Sequence, residues 1–203
     1  MGVNSQMRKR IVPLINLIHY PVITLGPGER LGIWFQGCSI RCKGCIANHG
    51  WEFDPRFKMK WKEIESYLKN EYGRLTISGG EPFDQPEALL KLIKMARKYH
   101  YYDILVYSGY TYDSLDKKYS EVLSCIDVLI DGPFVEGNET SLIWRGSGNQ
   151  RMYIFNPDLK ETYETHGLKK KDRNLQFIEG KQGTFVVGIP FQKDTQEIKN
   201  AFK

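Results

Sequence analysis

Three of the four cysteines fall within nine residues, in the segment GCSIRCKGC at positions 37–45: Cys38, Cys42 and Cys45. The fourth, Cys125, lies far downstream. An apolar run, LGIWFQ (31–36), leads straight into the cysteine segment and reads as a buried strand that would anchor it. Gly37, Arg41, Lys43 and Gly44 make the segment a polar loop, which argues against three thiols packed as small hydrophobes. Four cysteines among 203 residues do not make a disulfide framework, so metal binding or redox chemistry is the expectation. A structural metal site closes with four ligands, whereas a catalytic one keeps a position open. Three thiolates on a cubane iron–sulfur cluster leave one iron without a protein ligand. The rival is a zinc site of the Cys3His kind with His49 as fourth ligand, but C-x3-C-x2-C is an unusual spacing for a zinc knuckle.

Downstream of the loop, short apolar runs alternate with helical patterns. KWKEIESYLKN (60–70) sets Trp61, Ile64, Tyr67 and Leu68 at helical spacing, and GRLTISG (73–79) reads as a strand. QPEALLKLIKMARKYH (85–100) predicts a helix, with Pro86 in its first turn and Leu89, Leu92, Ile93 and Ala96 on one face. DILVYSG (103–109) and CIDVLIDGPF (125–134) predict further strands, separated by a helix over 111–124. QRMYIF (150–155) predicts another strand, and LQFIEG with TFVVGIP predicts a closing hairpin. Residues 135–149 and 156–173 read as irregular.

Strand alternating with helix through short connections predicts an α/β fold with a parallel sheet. Five to six mainly parallel strands are too few for a closed eight-stranded barrel. They suit a partial, open βα barrel with a C-terminal strand extension and a site at the carboxyl ends of the strands. Cys38, SGGEP (78–82), YSG (107–109) and DGP (131–133) all fall at those ends. The expected organisation is one domain over 1–203, with a core of about 25–155 and an extension over 156–203.

The remaining bulk properties exclude other classes. No run of about 18 apolar residues appears, so no membrane association is expected. The N-terminal segment lacks a clean apolar core and a cleavage site, and Gln6 breaks a myristoylation pattern; a cytoplasmic location is expected. The net charge of +5 is modest, and the basic run LKKKDR (168–173) carries no interleaved aromatics, so it reads as a solvated loop and no nucleic-acid partner is expected. The mild basic bias suits steering of an acidic electron-transfer partner.

With Cys38, Cys42 and Cys45 spaced C-x3-C-x2-C and SGGEP following one βα unit later, the chain resembles the radical S-adenosylmethionine (SAM) enzymes. Within them it resembles the activating enzymes of anaerobic ribonucleotide reductases, through GPGERLGIWFQGCSIRCKGC (26–45), VYSGYT (106–111), IDVLIDGPF (126–134) and WRGSGNQR (144–151). The resemblance implies a [4Fe–4S] cluster on Cys38, Cys42 and Cys45, and SAM chelated through its amino and carboxylate groups by the open iron. It also implies SAM contacts from Gly79, Gly80, Glu81 and Pro82, with Ser108 and Asp131 at the third and fourth strand ends. Two glycines let backbone approach a ligand, and the Glu81 carboxylate suits an ammonium group. Gly44 stands where many relatives carry an aromatic beside adenine, so Trp34, Ile40 or the C-terminal strand are candidates for that packing.

Arg145, Asn149, Gln150 and Arg151 form a polar cluster suited to anion or partner recognition. Asp127 reads as structural and Cys125 as a buried, inert thiol. The expected activity is reductive cleavage of SAM to a 5′-deoxyadenosyl radical that abstracts hydrogen from a glycine of a partner reductase, with a flavodoxin- or ferredoxin-type electron donor. The alternatives are a radical SAM enzyme acting on a peptide or small metabolite, and a non-catalytic iron–sulfur or zinc module.

Overall fold

The computed structural model describes residues 11–167, 174–180 and 183–201. The basic run at 168–173 lies outside them. A six-stranded sheet runs in sequence order: β1 (Ile15–Val22), β2 (Arg30–Phe35), β3 (Arg74–Gly79), β4 (Asp103–Tyr107), β5 (Val128–Asp131) and β6 (Arg151–Ile154). Strands β2 to β5 are mutually parallel, and β1 and β6 add antiparallel edges. The sheet is open and does not close into a barrel.

Helices α1 (Trp61–Leu68), α2 (Pro86–Lys98) and α3 (Tyr112–Leu123) connect the parallel strands. Period-3.6 spacing on α2 puts Ala88, Leu89, Leu92, Ile93 and Ala96 on its buried stripe. Those residues pack with Leu31, Ile33, Phe35, Leu75, Ile77, Ile104 and Val106 from one face of the sheet. Strand alternation sends Leu105, Val128 and Ile130 to the opposite face, where Trp144 and Tyr163 cover them.

The sequence reading missed three elements. Strand β1 is half-buried along most of its length, so it lacks a clean apolar period. Residues 156–173, expected to be irregular, contain α4 (Lys160–Gly167), whose stability comes from the fully buried Tyr163 rather than an apolar stripe. Helix α5 (Gln192–Ala201) follows the hairpin of β7 (Gln176–Gly180) and β8 (Gly183–Val187). That hairpin forms its own two-stranded sheet and joins the rest through Val22, Leu25, Ile178 and Val187. The strand expected from residue 125 begins at Val128.

GPGER (26–30) serves the opposite end of the sheet from the cysteines. Arg30 is fully buried and grips Asp103 through both terminal nitrogens, at 2.6 and 2.9 Å. Its Nε donates to Thr76 Oγ1 at 2.7 Å, and the Tyr163 hydroxyl donates to Asp103 Oδ1 at 2.7 Å. One charged cluster thus ties β2, β3, β4 and α4 together. No helix among the described residues is long and apolar enough to cross a membrane.

Candidate functional site

The carboxyl ends of the four parallel strands open onto one cavity of about 200 Å3. Cys38, Cys42 and Cys45 all line it, from the loop after β2. Gly80 and Glu81 enter from the end of β3, Ser108 and Gly109 from β4, and Gly132 from β5. None of the cysteines is in a disulfide, and burial pushes the Cys38 thiol upward.

The loop is fixed by backbone bonds. Cys38 N donates to Trp51 O at 2.9 Å, and Gly37 N to Gly50 O at 2.8 Å. Asp84 accepts from Ser39 N (2.6 Å), Ser39 Oγ (3.0 Å) and the Tyr110 hydroxyl (2.7 Å). Gly80 N donates to Phe35 O and Glu81 N to Gly37 O, each at 2.8 Å. A Cβ on Gly79 would sit 2.3 Å from Phe35 O, and one on Gly80 2.1 Å from Gly37 O. Gly79 therefore admits the backbone of β2 and Gly80 that of the cysteine loop, rather than a ligand.

Glu81 is 1% exposed. Its Oε1 accepts from Phe83 N (3.0 Å) and Ser108 Oγ (2.9 Å), and its Oε2 from Gly109 N (2.7 Å). Burial raises its pKa to about 7, against the pull of those three donors. The carboxylate thus ties the end of β3 to the end of β4.

Other expected positions fall elsewhere. Gly79 and Pro82 are not in the cavity lining; Pro82 is buried at the start of a short 3-10 turn capped by Glu81. Asp131 also stands outside the lining, since its oxygens accept from Tyr112 N (2.6 Å) and Arg151 N (3.2 Å). Trp34 and His49 line a separate small cavity, where the His49 ring meets Phe185 edge-on at 5.6 Å. The Cys3His grouping is therefore not assembled, and no three His, Cys, Asp or Glu among the described residues converge on a single ion. A cubane does not require such convergence, because it distributes its thiolates over different irons.

Asn149 and Gln150 stitch their own loop, donating to Pro133 O at 2.8 Å and Gly132 O at 2.9 Å. Arg145 is buried rather than presented to a partner, and its Nε and Nη1 have no hydrogen-bond partner among the described residues. The buried Tyr107 hydroxyl is likewise unpartnered; its ring lines the cavity. Asp127 is structural, accepting from Ile104 N (2.7 Å), Arg97 (2.8 Å) and Asn156 (2.9 Å). Cys125 is half-buried, in the turn after α3.

Sequence reasoning picked Ile40 among the apolar lining and missed Trp51 and Phe134. A side chain on Gly44 would meet the Glu136 carboxylate at 2.8 Å and the Phe134 ring at 3.2 Å. It also left open the part of Gly188, Ile189, Pro190, Gln192 and Thr195, which close one side of the cavity.

Three free cysteines in one loop among the ends of parallel strands suit an iron–sulfur site, and the matches to known proteins point the same way. Residues 24–153 match the model of the 4Fe-4S single cluster domain, so the chain belongs to that family. It is 37% identical over 150 residues to the anaerobic ribonucleoside-triphosphate reductase-activating protein of Haemophilus influenzae, covering 68% of this chain and 97% of that one. The protein of that name from Escherichia coli K12 is 32% identical over 148 residues (66% and 95% covered), and that of Enterobacteria phage T4 is 33% identical over 135 (63% and 85%).

Proposed function

We propose that the protein is a radical SAM enzyme that activates an anaerobic ribonucleotide reductase by generating a glycyl radical on it. The observation that carries this reading is the meeting of Cys38, Cys42 and Cys45 with Glu81 and Ser108 in one cavity at the strand ends. The donor set fits a [4Fe–4S] cluster: three cysteines in one loop, none of them in a disulfide, on a loop held by backbone bonds to Gly50 and Trp51. When bound, the cluster supplies the electron that cleaves the sulfonium C–S bond of SAM to methionine and a 5′-deoxyadenosyl radical.

The chain's own residues bind, orient and exclude water. Cys38, Cys42 and Cys45 would hold the cluster through three of its irons and leave the fourth for the amino and carboxylate groups of SAM. Glu81, through Ser108 and Gly109, fixes the spacing of the two strand ends that would contact SAM. Among the described residues its Oε2 accepts one bond, from Gly109 N, which leaves it capacity for an ammonium group. Ile40, Trp51 and Phe134 give the cavity apolar walls that keep water from a reactive radical. A flavodoxin- or ferredoxin-type protein is the electron donor in this reading.

A second reading, action on a peptide or small metabolite, is favoured by one observation: the 188–195 segment closes a side of the cavity. The test is anaerobic reconstitution, reduction with dithionite, and addition of SAM with a candidate reductase. Deoxyadenosine release together with a glycyl radical seen by electron paramagnetic resonance is expected. Deoxyadenosine without a radical on any such reductase would favour the second reading, and neither product would sink both.

A further inference from the structure

The open sheet cannot enclose a small molecule by itself, because its edges β1 and β6 stay apart. A later segment spans the gap. On the β1 side, Gln176 Oε1 accepts from Ile23 N at 2.8 Å, and Gln176 Nε2 donates to Pro21 O at 2.9 Å. Thr24 Oγ1 donates to Val187 O at 3.2 Å, and Val187 is buried with Val22, Leu25 and Ile178. On the far side, in the connection between β5 and β6, Gln192 Oε1 accepts from Gly137 N at 2.7 Å, and its Nε2 donates to Gly146 O at 3.2 Å. Between these two anchorages, Gly188, Ile189 and Pro190 face the cysteine-lined cavity, followed by Gln192 and Thr195 from α5.

This segment lies beyond the family match, which ends at residue 153. Two thirds of this chain already account for 95–97% of the length of the bacterial relatives. The strap is therefore an addition to the shared core, and it is seated at the site.

We infer that residues 188–195 are a binding wall for SAM, supplied by this chain's own extension. The inference rests on the radical SAM reading, but not on which substrate receives the radical. Ile189 and Pro190 add to the apolar lining that Ile40 and Phe134 also supply, and Gln192 holds the wall in place. A wall fixed at both ends costs little ordering when the ligand arrives, which is how preorganisation raises affinity. It also limits the entry of a partner loop to the side that the strap leaves open.

The test measures SAM binding to the reconstituted holoprotein by equilibrium dialysis with labelled SAM. Ile189→Ala should weaken binding about tenfold or more, the scale for lost apolar contact in a pocket, and Gln192→Ala, which frees the wall from Gly137 and Gly146, should weaken it as well. Iron content should hold, and Glu197→Ala, on the exposed face of α5, should bind as wild type. In the wild type, SAM should also slow amide hydrogen exchange across 188–195. Wild-type affinity in both variants, or exchange across 188–195 unchanged by SAM, overturns the inference while leaving the radical SAM reading intact. Should both variants lose iron, the wild-type exchange measurement decides. A wild-type holoprotein that binds no SAM overturns the radical SAM reading, and this inference with it.

Discussion

Glu81 carries three donors on one buried carboxylate, and its pKa of about 7 has a consequence for stability. The ordinary value is 4.5, so between that pH and about 7 the folded protein keeps a proton that the unfolded chain releases. Stability from this group is full below 4.5 and is lost as pH rises through 7. In the cluster-free protein, Glu81→Gln should flatten that slope in urea melts at pH 5 and 8. The same variant should be less stable at pH 5 by about 1 kcal/mol, since its amide nitrogen cannot accept from Gly109 N. A slope as steep as wild type would assign the titration to another group. At the cysteines, Cys38→Ala, Cys42→Ala and Cys45→Ala should each abolish bound iron and sulfide, whereas Cys125→Ala should retain them. Equal loss in Cys125→Ala would place a fourth thiolate on the cluster and remove the open iron.

At the scale of elements, the buried Arg30–Asp103 pair decides how the strands line up. Removing one partner of a buried pair leaves a bare charge, which costs roughly 3–5 kcal/mol. Arg30→Met should therefore destabilise by about that much. Tyr163→Phe, which takes one hydrogen bond from Asp103, should cost about 1–3 kcal/mol. Denaturant midpoints check both. A Tyr163→Phe variant as stable as wild type would mean that α4 is not tied to the strands through this bond. Glycine, proline and cysteine punctuate β2 to β5 and α1 to α3, and that is why those elements were legible in the sequence. Strand β1 was not, because six of its eight residues are half-buried, which leaves no clean apolar alternation, and it pairs along one edge. Trp34 and His49 look close to the cysteines along the chain, yet strand alternation and the loop's turn carry them to a separate cavity. Asp131 reads as a cleft residue at a strand end, but two backbone amides claim its oxygens.

Over the whole molecule, four strand ends, one cysteine loop and one strap meet at a single cavity. The strand ends could be located from sequence because period and turn residues are local signals. The strap could not be placed, because it reaches the site through tertiary anchors at Gln176 and Gln192, two ordinary polar residues. Under the proposed function, three thiolates hold a four-iron cluster whose remaining iron takes SAM. Mössbauer spectra of the reconstituted, iron-57-labelled protein, recorded with and without SAM, test it most directly. The account predicts that one iron in four changes its spectrum when SAM is added while the other three do not. Four irons that all ignore SAM, or a site that takes up zinc and no iron, would contradict it.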